Sequence, residues 1–422
     1  TTEQIRPFET KDKVFVGELA LNGELRPVSG ALSIAEMVVE AGYKYLFLPK
    51  ANAQEANIIK GLHVVPIENL KGLVNFLENP EKIDVLPKSS LKRDVKEKDF
   101  KITLDDIRGQ ENAKRALIIA AAGGHNLLMT GTPGAGKSIL AESIISILPD
   151  ATPEESIEIT KVWSAAGLAT NGLIYTRPFR APHHSASIVS IVGGGTNPHP
   201  GEISLAHRGV LFLDEFPEFP RSVLESLRQP LETGEVRVAR AKATLTFPAR
   251  FTLIAAMNPC PCGYFGDKEH ECRCTANEVF KYEKRISGPL LDRIDLQIVV
   301  PRVSIGELME KKTSGGAEVT SRAGVQVQKA RDIQNKRFSN NNSSRKIFTN
   351  AEMSSKECEE LITLSSDSEI FLKKILEDNL VSARGYYRIL KTARTIADLE
   401  ASPDVKKEHL AEAFSYRIRN RE

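Results

Sequence analysis

Cysteine is nearly absent from this chain. There are five in 422 residues, four of them between Cys260 and Cys274. The remaining thiol, Cys358, leaves no disulfide framework along the chain, which excludes the small cross-linked secreted class. Charge of one sign is missing too. The formal net charge is +2, so any binding to nucleic acid must rest on local patches. No run approaches the roughly 20 apolar residues that a bilayer span needs. The nearest, RALIIAAAGGHNLLMTG, is interrupted by Gly-Gly-His-Asn. The start, TTEQIRPFETKDK, has no apolar signal core. These absences predict a cytoplasmic protein with no membrane partner. The length predicts two or three domains.

Residues 1–80 read as a small α/β unit. KVFVGELAL and KYLFLP pattern as strands around the helix ALSIAEMVVEAGY, and LHVVPIENLKGLVNFLEN adds a strand and a closing helix. Residues 81–103 are charged and read as a linker. Residues 104–301 alternate strands and helices, with strands at HNLLMTG, GVLFLDE, FTLIAAMN and LQIVVPR. Such alternation predicts a mostly parallel sheet with helices on both faces. Strand signals stop in residues 302–422. LMEKKTSGGAEVTSRAG reads as a polar connection, FSNNNSSRK as a loop, and the remainder as helices.

GTPGAGKS follows an apolar strand and opens the helix ILAESIISIL. The run Gly131, Thr132, Pro133, Gly134, Ala135, Gly136, Lys137, Ser138 and Ile139 is therefore the predicted phosphate-binding stretch. Glycines let backbone N–H groups turn inward, and a helix N-terminus adds partial positive charge. Lys137 would reach the β- and γ-phosphates, and Ser138 would ligate magnesium. GVLFLDE delivers Asp214 and Glu215 from the end of a buried strand. Asp214 would hold magnesium and Glu215 would polarise the attacking water.

With these motifs the chain resembles the AAA+ ATPases. DIRGQENAKRAL resembles their adenine-side segment and places Gln110 there. FTLIAAMNP puts Asn258 at the sensor-1 position. RISGPLLDRIDL puts Arg293, or alternatively Arg285, at the arginine-finger position, and SARGYYRIL puts Arg384 at sensor 2 with Arg388 one turn later. A finger acts on the neighbour's nucleotide, so the resemblance implies a homo-oligomer, a hexamer.

RPFRAPHHSAS, VGGG and PGEISLAHRGVLFLDEFPEF are similar to the magnesium-chelatase-like branch, which carries an insert in the second core helix. His183 and His184 would suggest metal ligands, but adjacent side chains should point apart, so loop packing is expected of them. Two alternating runs around ARAKA read as a β-hairpin matching the branch's pre-sensor-1 hairpin. Arg237, Arg240 and Lys242 cluster on it and could track DNA phosphates without reading sequence. The first domain resembles the C-terminal half of a Lon-type protease domain. Leu32 stands where the catalytic lysine would fall, so the domain is expected to be a degenerate and truncated remnant. Together these segments resemble the ComM/YifB family, competence-related DNA helicases that drive branch migration during natural transformation.

The four clustered cysteines follow C-x-C-x9-C-x-C. Cys260, Cys262, Cys272 and Cys274 could bind structural zinc, remain free thiols, or form two disulfides; His270 could replace one sulfur. Lys268 and Arg273 on this segment could also be presented to DNA. The expected protein is thus α/β, with an AAA+ core, a C-terminal helical lid and a partial Lon-like domain. It would use ATP and magnesium on single-stranded or branched DNA. The alternative is the motor of a chelatase-like complex that remodels a protein partner.

Overall fold

The computed structural model describes residues 8–79, 85–87, 100–168, 172–195, 198–239, 244–267, 269–303, 306, 318–339, 346–379 and 382–417. Arg240, Lys242 and Lys268 lie outside the described residues.

The first unit is a three-stranded parallel sheet of Lys13–Phe15, Tyr45–Pro49 and His63–Ile67. It carries the helices Ala31–Glu40, Lys50–Ala56 and Leu70–Glu78. The strand expected over KVFVGELAL is broken. Glu18–Leu19 instead forms a short ribbon with Leu25–Arg26. The break falls at Gly17, where a Cβ would approach Leu25 to 3.2 Å. Leu32 is fully buried, and its N–H donates to Glu55 Oε1 at 3.2 Å. The unit docks on the ATPase core through the helix Pro153–Ala165. Gly30 N–H donates to Ser164 O at 3.1 Å, and Lys161 pairs with Glu36.

The core sheet has five parallel strands. In space they run Leu296–Val299, Leu127–Thr130, Thr252–Met257, Val210–Leu213 and Phe179–Arg180. Counted along the chain this is the order 5-1-4-3-2. The sequence pattern revealed four of them. The fifth, Phe179–Arg180, is two residues long and has no period to read. The helix Ile188–Val192 is followed by a ribbon, Gly193–Gly194 with His199–Pro200, and then by the helix Glu202–Leu205. The hairpin is also present: Glu235–Ala239 pairs antiparallel with Thr244–Pro248.

The last part is helical: Glu318–Ser339, Ser355–Leu361, Ser366–Asn379, Ala383–Leu399 and Lys407–Ser415. Part of the stretch expected to be a polar connection, from Glu318 onward, is the first turns of a 22-residue helix. Its polar face hid an apolar stripe, in which Ala323, Val327 and Ala330 are buried. Ser382 caps Ala383–Leu399 by accepting from Gly385 N–H at 3.2 Å. Ile389, Ala393 and Ile396 of that helix join Ala116 and Ala120 of Glu111–Gly123 in one hydrophobic cluster. Burying each isoleucine contributes about 2 kcal/mol, which holds the helix against the core.

Candidate active site

The strand Leu127–Thr130 is buried and ends at the glycine-rich turn. Gly134 and Gly136 have φ of 78° and 85°, which side-chain-bearing residues rarely adopt. Gly131 is required for a different reason: a Cβ there would lie 2.4 Å from Val300 O. Lys137 begins the helix Lys137–Ser143, which tightens into a 3-10 turn at Ile144–Ser146 and does not run straight through Leu148.

Lys137 Nζ donates to Gly131 O at 2.7 Å, Thr132 O at 3.0 Å and Asn258 Oδ1 at 3.1 Å. Burial lowers its pKa, while Asp214 acts the other way. Ser138 Oγ donates to Asp214 Oδ2 at 2.7 Å. This hydroxyl–carboxylate pair fits a magnesium ion, because both oxygens converge on one point beside the phosphate loop. Glu215 has φ 50° and ψ 44°, an uncommon conformation for a non-glycine residue. Its N–H donates to Asp214 Oδ1 at 2.8 Å. Gln110, also at positive φ, donates to Pro301 O at 2.5 Å and so ties the start of the helix Glu111–Gly123 to the chain just beyond the last strand.

His184 is the residue that sequence reasoning misassigned. Its Nδ1 lies 2.9 Å from Glu215 Oε2. The two histidine rings do not point apart: their centroids are 4.1 Å apart, and His183 Nδ1 meets Ser185 Oγ at 2.8 Å. The turn after Arg180 curls both rings to one side, so neighbouring residues outside a strand need not alternate.

The arginines gather elsewhere. Arg293 and Arg384 both bind Glu232, Arg384 at 3.3 Å. Arg293 holds the Glu232 carboxyl below its usual range. Arg293 Nε is buried and has no hydrogen-bond partner. Arg388 donates to Asp295 at 2.5 Å and to Arg293 O at 2.9 Å, a local brace. Burial works against ionised Asp295, but Arg388 and His125 hold it well below the carboxylate range. Arg285 pairs with Glu218 at 2.6 Å. Arg293, Arg384 and Glu232 line a cavity of about 530 Å³.

Arg293 and the phosphate loop lie at opposite ends of two neighbouring strands. Leu296 is in parallel register with Leu127, so Arg293 precedes the strand start whereas Gly131 follows the strand end. Four residues of strand, roughly 13 Å, separate the two ends. Arg293 therefore faces away from the phosphate loop of its own chain.

The cysteine sulfurs converge. Cys260–Cys262, Cys260–Cys272 and Cys262–Cys272 are 3.4, 3.7 and 3.6 Å apart, and all four sulfurs lie within 4.8 Å of one another. Thiolates held about 2.3 Å from one tetrahedral ion stand about 3.8 Å apart, whereas a disulfide needs about 2.05 Å. The donor set fits zinc. Phe265 N–H donates to Cys260 Sγ at 3.3 Å. Backbone N–H groups of Tyr264 and Arg273 hold the Cys262 thiol down to about 6. For Cys274 the Cys262 backbone also acts downward, but desolvation and the neighbouring thiols push it up to about 12. His270 is not among the converging ligands; its ring stacks on Tyr264 at 4.9 Å.

Arg237 lies on the outer face of the hairpin with its side chain 62% exposed, 3.8 Å from Glu235. Val236 and Val238 face the core.

A parallel 5-1-4-3-2 sheet with a phosphate loop, an acidic strand end and Asn258 beside the loop lysine defines an AAA+ ATPase. Residues 103–308 match the family described as magnesium chelatase, subunit ChlI, residues 317–417 its C-terminal part, and residues 1–52 the family described as subunit ChlI of Mg-chelatase. The competence protein ComM of Haemophilus influenzae is 44% identical over 422 residues, covering 99% of this chain and 80% of that one. The uncharacterized protein YifB of Escherichia coli is 40% identical over 421 residues, covering 100% and 80%. The chain belongs to the ComM/YifB family of magnesium-chelatase-like AAA+ ATPases. No helix among the described residues is long and apolar enough to cross a membrane.

Proposed function

We propose that this chain is the subunit of a hexameric, ATP-driven DNA translocase that promotes branch migration during DNA uptake and recombination. The observation that carries the reading is the division of the catalytic set between two faces. Lys137, Ser138, Asp214, Glu215 and Asn258 surround one phosphate site. Arg293 and Arg384 meet at Glu232 on the other. A head-to-tail contact would bring the second set to the first, and repeated contacts of that kind close into a ring.

On nucleotide binding, Lys137 exchanges its carbonyl partners for phosphate oxygens. Ser138 and Asp214 hold magnesium, which neutralises phosphate charge when bound. Glu215 orients the attacking water, Asn258 senses the terminal phosphate, and the neighbour's Arg293 and Arg384 stabilise charge in the transition state. Gln110 lies on the adenine side. Arg237, with Arg240 and Lys242, places cationic charge on the hairpin to track DNA phosphates. The cysteines hold structural zinc. The first unit serves as a non-proteolytic, Lon-like remnant over residues 1–80, followed by a linker at 81–103, the ATPase core at 104–301 and the lid at 302–422. The buried Leu32 supports the absence of a catalytic base there.

The test is ATP hydrolysis with and without single-stranded and branched DNA, together with strand exchange on a synthetic four-way junction. The reading requires stimulation and ATP-dependent junction movement. A chelatase-like motor would show neither.

A further inference from the structure

The cysteine centre lies directly against the phosphate loop, and one side chain joins them. Arg302 Nε donates to Thr132 Oγ1 at 3.3 Å, and Nη2 donates to Pro133 O at 3.4 Å. The same guanidinium meets the cysteine segment. Nε lies 3.4 Å from Asp267 Oδ2, Nη1 lies 3.5 Å from Glu269 Oε2, and Nη1 donates to His270 Nδ1 at 3.3 Å. Tyr264 lies under it, 5.8 Å from ring centroid to guanidinium carbon.

The segment itself is fixed from the sulfurs outward. Gly263 N–H donates to Cys260 O at 3.0 Å, and Asp267 Oδ1 accepts from Glu269 N–H at 2.8 Å and His270 N–H at 3.0 Å. Gly263, at φ 88°, passes so close to the loop that a Cβ would lie 2.6 Å from Pro133 Cγ. Arg302 has little freedom on its other side. It follows Pro301, whose carbonyl receives Gln110, and Val300, whose carbonyl packs on Gly131.

We propose that the metal state of the four-cysteine centre controls nucleotide affinity, with Arg302 as the positioning residue that transmits it to Thr132 and Pro133. This rests on the zinc reading above. With the thiolates gathered on an ion, the turn from Gly263 to Asp267 is fixed and presents its acidic and aromatic groups to Arg302. Arg302 then holds Thr132 and Pro133 so that the backbone N–H groups of the residues that follow them in the loop face the phosphates. Without the ion the four sulfurs lose their common centre, the turn loses its anchor, and the loop must be ordered by the nucleotide itself. Ordering on binding lowers affinity without removing a contact to the ligand.

The experiment measures zinc and nucleotide separately on the full chain. Zinc is counted by release to a chromophoric chelator, and affinity is read with a fluorescent non-hydrolysable ATP analogue, before and after metal removal under reducing conditions. One zinc per chain is expected, and its removal weakens nucleotide binding about tenfold, the scale of one charge-assisted hydrogen bond. Arg302→Ala in the zinc-loaded protein reproduces the loss, and removing zinc from that variant adds little. Arg302→Lys restores part of the affinity, because a cation remains to meet Asp267. Hydrogen exchange of residues 131–138 rises in both the zinc-free and Arg302→Ala proteins. A chain that takes up no zinc overturns the zinc reading and the inference with it. A chain that binds zinc but keeps the same nucleotide affinity and loop exchange after removal overturns the inference alone. Equal zinc sensitivity in Arg302→Ala and wild type overturns the role of Arg302.

Discussion

His184 Nδ1 lies 2.9 Å from Glu215 Oε2, so the carboxylate assigned to activate water is already engaged by a side chain from a neighbouring loop. The two groups form a close polar pair, so His184 stands beside an oxygen that the attacking water would also use. Phe219 packs at the edge of the ring, with centroids 6.4 Å apart, and keeps the pair in place. His184→Ala should therefore raise basal ATP hydrolysis by about twofold to fivefold, the scale of one partly exposed ion pair. The ratio of DNA-stimulated to basal rate should fall. Steady-state turnover with and without DNA checks this; a lower basal rate would assign His184 a supporting role in positioning Glu215.

Lys137 and Glu215 should separate binding from chemistry. Lys137→Ala removes the cation at the centre of the loop and should abolish measurable nucleotide binding. Glu215→Gln keeps the loop and should bind nucleotide normally while hydrolysis falls by about 10²-fold or more. Calorimetric titration with a non-hydrolysable analogue, alongside single-turnover hydrolysis, distinguishes the two. Equal affinity for Lys137→Ala and wild type would contradict the assignment.

The hairpin prediction concerns DNA alone. Replacing Arg240 and Lys242 with Ala should weaken binding about equally for all sequences and flatten the log–log salt dependence by roughly one unit per lost phosphate contact. Basal ATPase activity should survive, and stimulation by DNA should fall. Fluorescence anisotropy across a salt series reads both quantities. An unchanged slope would remove these two residues from the DNA contact.

The geometry of the candidate phosphate site was legible because its requirements are local. A buried strand, glycines at fixed offsets, Lys137 and Ser138 all lie within a dozen residues, and Asp214 and Glu215 follow the same logic at the end of one strand. The hairpin was equally plain from its alternation. What escaped the sequence was contact across distance. Glu232 gave no sign that it would receive Arg293 and Arg384, because 61 and 152 residues separate those pairs. Arg302 looked like the ordinary end of a strand, and its partners come from the cysteine segment. The cysteine spacing suggested a shared centre, but only the sulfur positions separate tetrahedral convergence from disulfide pairing. Gly193–Gly194 and Phe179–Arg180 are too short to carry a period, so the ribbon and the edge strand were invisible.

The central claim is that each nucleotide site is completed by the next subunit. Arg293→Ala should lower ATP turnover by about 10³-fold in a homogeneous assembly. Lys137→Ala should be inactive for a different reason, while keeping an intact Arg293. Random mixing at equal amounts makes about a quarter of the interfaces pair an intact loop with an intact arginine. The most direct measurement is ATP turnover of that mixture, with assembly confirmed by light scattering. The account predicts recovery to a substantial fraction of wild-type activity, rising and falling with the mixing ratio. No recovery at any ratio, in rings shown to contain both variants, would contradict it and place Arg293 within its own subunit's structure.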